Sequence, residues 1–263
     1  MKVVLFCGGF GMRMREFSDT IPKPMVPIGY RPVLWHLMRY YAHFGHKDFI
    51  LCLGYQGDVI KEYFLDYKEW LSNDFVLSEG GRQVDLLQRD IQDWTITFVD
   101  TGAKANIGER LLAVRDHLGD DEVFLANYAD GLTDARLDKI IAQHHENGSV
   151  ATFLSVRPIH TFHIVDLAGD GTVRQIREAR DAGMWINGGF FVLDRRIFDY
   201  MNPGEELVHE PFRRLVGEGL LGAYRHDGFW MGMDTFKDRE TLDDMYQHGE
   251  AVWEVWEREE PGV

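Results

Sequence analysis

At 263 residues, with 45% hydrophobic and 13% aromatic content, the chain can bury a full core as one α/β domain or as one domain with a small appendage. A formal net charge of -15 excludes a general nucleic-acid surface, which needs a broad excess of Lys and Arg, yet leaves room for a small anionic ligand held by a few cations at one point. No run approaches the ~20 apolar residues of a membrane span, and MKVVLFCGG is too short for a signal peptide, so a cytoplasmic protein without membrane or nucleic-acid partners is expected.

The first predicted element is VVLFC (residues 3–7), a buried strand that runs into the glycine-rich stretch GGFGMRM. Glycines let a backbone approach an oxyanion with its N–H groups turned inward, and a guanidinium beside them binds phosphate oxygens in a fork, so Gly8, Gly9, Gly11 and Arg13 read as a phosphate cradle. A tight turn uses the same glycines for steric reasons alone. A P-loop is excluded by the missing Gly-Lys-Ser/Thr ending, and a dinucleotide GxGxxG fails because Met14 stands at its third glycine.

Further along, DFILCL (48–53), TITFVD (95–100) and EVFLANY (122–128) read as buried strands. VLWHLMRYYAHF (33–44), DVIKEYFLDYKEW (58–70), GERLLAVRDHL (108–118) and DARLDKIIAQHHENG (134–148) carry helical apolar spacing. Such alternation predicts a mostly parallel sheet with helices on both faces, its ligand site beyond the carboxyl ends of the strands. After Gly148 shorter segments follow, VATFLSV, FHIVDL, TVRQI and WINGGFFVL, which predict a smaller α+β half. The expectation is one domain over 1–263, with a nucleotide-binding half at 1–148 and an acceptor-binding half with the C-terminal helices at 149–263. Cys7 and Cys52 lie in apolar strands and read as buried free thiols, and the eleven histidines show no metal-ligand spacing.

Taken in order, GGFGMRM, PKPMVPIGYRPVLWH, LGYQGDVIKEYF, VDTG, YADG, WINGGFFVL and GFWMGMDTFKD resemble the sugar-1-phosphate nucleotidyltransferases, in particular their glucose-1-phosphate cytidylyltransferase branch. The likeness spans nearly the whole chain and implies a Rossmann-like, GT-A-like fold. It further implies Mg²⁺-dependent transfer of a cytidylyl group from CTP to a sugar 1-phosphate, and a homo-oligomer. By resemblance Arg13 and Lys23 are catalytic; Gly8, Gly9, Gly11, Met12, Gly102 and Arg110 bind nucleotide; Asp130 and Asp234 hold the metal; and His163, Glu178, Arg180, Asn187 and Gly188 bind the acceptor.

On chemistry alone, Asp130 also fits a turn before Gly131, and Asp234 also fits a helix cap. Glu178-Ala179-Arg180, Phe162-His163, Ala129 and Met12 depart from the family pattern, which predicts an altered acceptor half and an acceptor other than glucose 1-phosphate. Use of another nucleoside triphosphate, or a nucleotide-binding homologue without catalysis, stays open at this point.

Overall fold

The computed structural model describes residues 1–9, 21–158, 163–178 and 183–257. Strand β1 (Val3–Phe6) is followed by the short pair β2 (Pro27–Ile28) and β3 (Arg31–Pro32), helix α1 (Val33–His43), β4 (Asp48–Leu53) and α2 (Gly57–Leu65). A hairpin, β5 (Phe75–Ser78) and β6 (Gln83–Leu86), precedes β7 (Thr95–Asp100), α3 (Ile107–Ala113), β8 (Val123–Tyr128), β9 (Gly131–Thr133) and α4 (Leu137–Asn147). The second half supplies β10 (Ala151–Val156), the hairpin β11 (His163–Leu167) and β12 (Val173–Glu178), β13 (Ile186–Asn187) and β14 (Phe191–Asp194). It ends with α5 (Glu210–Glu218), β15 (Leu221–His226), β16 (Trp230–Gly232) and α6 (Phe236–Gln247).

Both halves share one sheet, ordered β13-β10-β14-β8-β1-β4-β7 with β15 on the other side of β10. Strands β8, β1, β4 and β7 run parallel, and β14 joins them antiparallel to β8. Alternation along β1 explains the layering: Val3, Leu5 and Cys7 enter a core with α1 and α4, while Val4 and Phe6 enter a second core with α3 and α5. The expected mostly parallel sheet with helices on both faces is therefore present, and each face is closed by its own core.

Several expectations need correction. TITFVD is not a buried strand, because β7 is the sheet edge: Thr95 and Asp100 are exposed and the residues between them half-buried, with Phe98 resting on Phe64 of α2. The helix predicted over 58–70 ends at Leu65 and resumes only as a 3₁₀ turn at Glu69–Leu71, and the one over 108–118 passes at Ala113 into a 3₁₀ turn at Arg115–Leu118. Both cysteines are buried free thiols; burial raises the pKa of each, that of Cys52 to about 12, so neither forms a reactive thiolate.

Candidate active site

The carboxyl ends of β1, β4 and β8 bring Gly8, Gly54 and Asp130 to one rim of the sheet, the rim where an open parallel sheet binds its ligand. A cleft of about 310 Å³ opens there, lined by Gly8, Gly9, Lys23, Arg110 and Asp130 among the anticipated residues. Under it, Arg110 of α3 is almost fully buried and its guanidinium is engaged with the protein. Nη1 donates to Leu53 O at 3.1 Å and Thr101 Oγ1 at 2.7 Å, and Nη2 to Gly8 O at 2.7 Å. Arg110 thus ties together the ends of β1, β4 and β7. A Cβ at position 8 would lie 2.1 Å from Arg110 Nη1 and would displace the guanidinium, and a Cβ on Gly54 would lie 2.7 Å from Gly8 O. By contrast a Cβ on Gly9 would meet nothing among the described residues, and Gly9 itself lines the cleft. Gly102, at φ +93, turns the chain after β7, its N–H donating to Asp100 Oδ1 at 3.0 Å, next to the cleft-lining Ala103. Gly11, Met12 and Arg13 lie outside the described residues.

At one end of the cleft three charged side chains from distant parts of the chain meet. Lys23 Nζ donates to Asp130 Oδ2 and, at 2.9 Å, to Asp234 Oδ1. The lysine is fixed by a 3₁₀ turn, Lys23–Met25, set between Pro22 and a buried Met25, with Met25 N donating to Pro22 O. The aspartates are held by the β9–β16 ladder, where Gly131 faces Gly232 and Met233 N donates to Asp130 O at 2.9 Å. Asp234 is not the cap of α6. Thr235 takes that role in a capping box with Asp238, and the Asp238 carboxylate also accepts from Asp234 N at 3.0 Å, so the Asp234 side chain is left to face Lys23. Burial alone would lower the lysine's pKa, but Asp130 and Asp234 outweigh it and hold the ammonium above its ordinary range. Among the described residues no group of three or more His, Cys, Asp or Glu side chains forms a metal cage. Two carboxylates at a phosphate site nonetheless suit a hard divalent cation that completes its shell with phosphate oxygens and water.

In the second half of the chain the turn between β13 and β14 is built around glycine. Gly189 has φ +79, and a Cβ there would lie 2.3 Å from Asn127 Oδ1, which accepts from Phe190 N at 2.9 Å. The Asn187 side chain accepts from Gly189 N at 2.8 Å and bears on the phenol of Tyr128, a cleft residue pushed up to about 12 by burial and then by Glu206 and Asp130. Gly188 packs against Trp230, whose indole N–H donates to Gly188 O at 2.8 Å. His163 and Glu178 face each other across β11–β12 and are exposed, and Arg180, Ala179 and Phe162 lie outside the described residues.

Tyr128, Lys104, Asn106 and Glu206 also line the cleft and were not anticipated. Asn106 had a local signal, since N-I-G-E is a capping box at the start of α3, with Glu109 N donating to Asn106 Oδ1 at 2.8 Å. Glu206 had none: it arrives from far along the chain to accept from Ile107 N at 3.3 Å.

The chain resembles known proteins in sequence and in fold. Residues 2–244 match the Nucleotidyl transferase family. The chain is 40% identical over 258 residues to a Bacillus subtilis protein named probable glucose-1-phosphate cytidylyltransferase, covering 97% of this chain and 100% of the relative. It is 39% identical over 259 residues to the glucose-1-phosphate cytidylyltransferase of Salmonella typhimurium, covering 98% and 100%. Among solved structures, the fold matches a UTP-bound UGPase from Acinetobacter baumannii with a TM-score of 0.69 at 20% identity, over 93% of this chain and 92% of that one. It also matches a UDP-glucose pyrophosphorylase complexed with UDP-glucose, with a TM-score of 0.70 at 17% identity, over 94% and 98%. With its full-length relatives and its cleft in view, the chain belongs to the Nucleotidyl transferase family.

Proposed function

We propose that the protein transfers the cytidylyl group of CTP to glucose 1-phosphate, forming CDP-glucose and releasing pyrophosphate. The observation that carries this reading is the meeting of Lys23, Asp130 and Asp234 at the end of a cleft floored by Gly8 and Gly9. The two relatives near 40% identity, both named for this activity, support the choice of CTP and of glucose 1-phosphate. The contrary expectation of an altered acceptor rested on Ala179 with Arg177 and Arg180 beside it and on His163; positions 179 and 180 lie outside the described residues, and His163 and Arg177 are exposed on the β11–β12 hairpin.

An acceptor phosphate is already largely dianionic at neutral pH, its second pKa being about 6, so its oxygen attacks the α-phosphorus without a general base. The new P–O bond forms as the bond to the bridging oxygen of the pyrophosphate breaks. Catalysis is then alignment and charge neutralisation. Lys23 neutralises the α-phosphate oxygens, and Arg13 the leaving pyrophosphate. The Gly8–Gly9 backbone, set in place by Arg110, lets the triphosphate approach closely, and Gly102 and Arg110 border the base. Asp130 and Asp234 would hold Mg²⁺, which when bound draws charge from the reacting phosphates. His163, Glu178, Arg180, Asn187 and Gly188 form the acceptor side. Asn187 is held in its turn by accepting from Gly189 N.

The same reading places the enzyme in the cytoplasm as a homo-oligomer. Among the described residues no helix is long and apolar enough to cross a membrane, and the exposed Phe75, Val76, Leu77 and Val84 of the β5–β6 hairpin support self-association. The direct test incubates the protein with CTP, glucose 1-phosphate and Mg²⁺ and follows ³¹P resonances. Appearance of the CDP-glucose pair with pyrophosphate is expected, and unchanged CTP would reject the proposal.

A further inference from the structure

Lys23 does more than stand near the two aspartates; it stands between them. Its ammonium hydrogen-bonds one oxygen of each carboxylate, and the side chain is only 15% exposed. A cation bridging Asp130 Oδ2 and Asp234 Oδ1 has to lie between those two oxygens, which is the position the ammonium holds. An ammonium and a divalent ion cannot share that position, because like charges a few ångströms apart in a partly buried site repel strongly. The lysine backbone cannot retreat: the Lys23–Met25 turn is pinned by Met25 N donating to Pro22 O at 2.8 Å and Val26 N to Lys23 O at 3.1 Å, and by the buried Pro24 and Met25. Only the flexible four-carbon side chain can give way.

We infer that Lys23 is the resident cation of the Asp130–Asp234 pair, and that the pair accepts a divalent ion only together with a polyphosphate, whose oxygens take the ammonium off the carboxylates. This rests on the nucleotidyl-transfer reading and deepens it, since the ligand recognised becomes the metal–triphosphate complex and the protein holds no standing metal site. Three consequences follow from charge alone. Free metal binds weakly. Polyphosphate and metal reinforce each other's binding, reciprocally. Removing the ammonium strengthens binding of free metal while weakening binding of polyphosphate, a pair of opposite effects that a purely structural lysine would not produce.

The test is titration of the full-length protein with Mn²⁺ without nucleotide, read by electron paramagnetic resonance of unbound Mn²⁺, for the wild type, Lys23→Met and Lys23→Gln. Both variants should bind Mn²⁺ about tenfold or more tightly than the wild type, the scale of removing a unit charge at contact. Addition of pyrophosphate should raise the Mn²⁺ affinity of the wild type by a larger factor than that of either variant. Thermal melts give a second readout on the same proteins: Mn²⁺ alone should raise the melting temperature of the variants and leave the wild type unmoved. Tight binding of free Mn²⁺ by the wild type, equal to that of the variants, would overturn the inference, as would a wild-type melting temperature that rises with Mn²⁺ alone. Turnover of CTP is scored separately, so an active wild type with a standing Mn²⁺ site sinks this inference alone, and a wild type inactive with every nucleotide sinks the functional reading.

Discussion

Arg110 fills the space that a side chain at position 8 would need: its Nη1 lies 2.1 Å from an ideal Cβ on Gly8, while its Nη2 donates to the Gly8 carbonyl at 2.7 Å. The first residue of the glycine-rich stretch is thus fixed by a buried cation reaching up from α3. Gly8→Ala should cost about 1–3 kcal/mol of stability through overpacking and should weaken CTP binding at the same time. Denaturant unfolding and calorimetry on one preparation check both, and Gly9→Ala, where a Cβ meets nothing among the described residues, should leave stability within about 0.5 kcal/mol.

The aspartate pair predicts a metal requirement. Chelation with EDTA should abolish turnover, and Asp130→Asn and Asp234→Asn should each reduce kcat by about a hundredfold or more, the scale of losing a main electrostatic contact to the transition state. Thr235→Ala separates this from helix capping. It removes the α6 cap and should cost about 1 kcal/mol of stability while leaving kcat within a fewfold of the wild type.

A pH dependence of stability follows from a different region, where Glu254 Oε1 lies 3.7 Å from His36 Nδ1. Burial and then Glu257 push the Glu254 carboxyl up to about 7, from an ordinary 4.5. The folded chain therefore binds more protons at this group than the unfolded chain between those values, and stability is lost as pH rises through about 7. Burial has the opposite consequence at His36, whose pKa falls to about 4; stability from this group is present above 6.5 and lost as pH falls toward 4. Glu254→Gln should accordingly raise stability at pH 8 by about 1–2 kcal/mol, allowing for partial solvent access, and the gain should vanish toward pH 4. Melting curves at both pH values check the sign.

For the base, CTP should bind more tightly than ATP or GTP, since a base contact left unpaired by the wrong nucleotide costs ~1–3 kcal/mol. Calorimetric titration of each triphosphate against the wild type measures this directly.

The central sheet was legible in the sequence because β1, β4 and β8 serve two cores in strict alternation, which writes a dense apolar run into the chain. The edge strand β7 carries a similar run and was misread as buried, since nothing local tells the outermost strand from its neighbours. The β9–β16 ladder was invisible: each partner spans three residues, and the two come from opposite halves. That ladder is what converts Asp130 and Asp234 from a turn residue and an apparent helix cap into one site, so their pairing was reachable only through the family resemblance. The hydrogen bonding of Arg110 to Leu53, Thr101 and Gly8 was equally hidden, because a buried arginine that braces three strand ends looks, in sequence, like any cation on a helix.

The reaction is defined most directly by which nucleotide is split onto which phosphate. The measurement is steady-state pyrophosphate release with glucose 1-phosphate and Mg²⁺ across CTP, UTP, dTTP, ATP and GTP, with the nucleotide sugar identified by mass. CTP should give the highest kcat/KM by about tenfold or more, with CDP-glucose as product. Turnover that favours another triphosphate, or none with glucose 1-phosphate under any of them, would contradict the account.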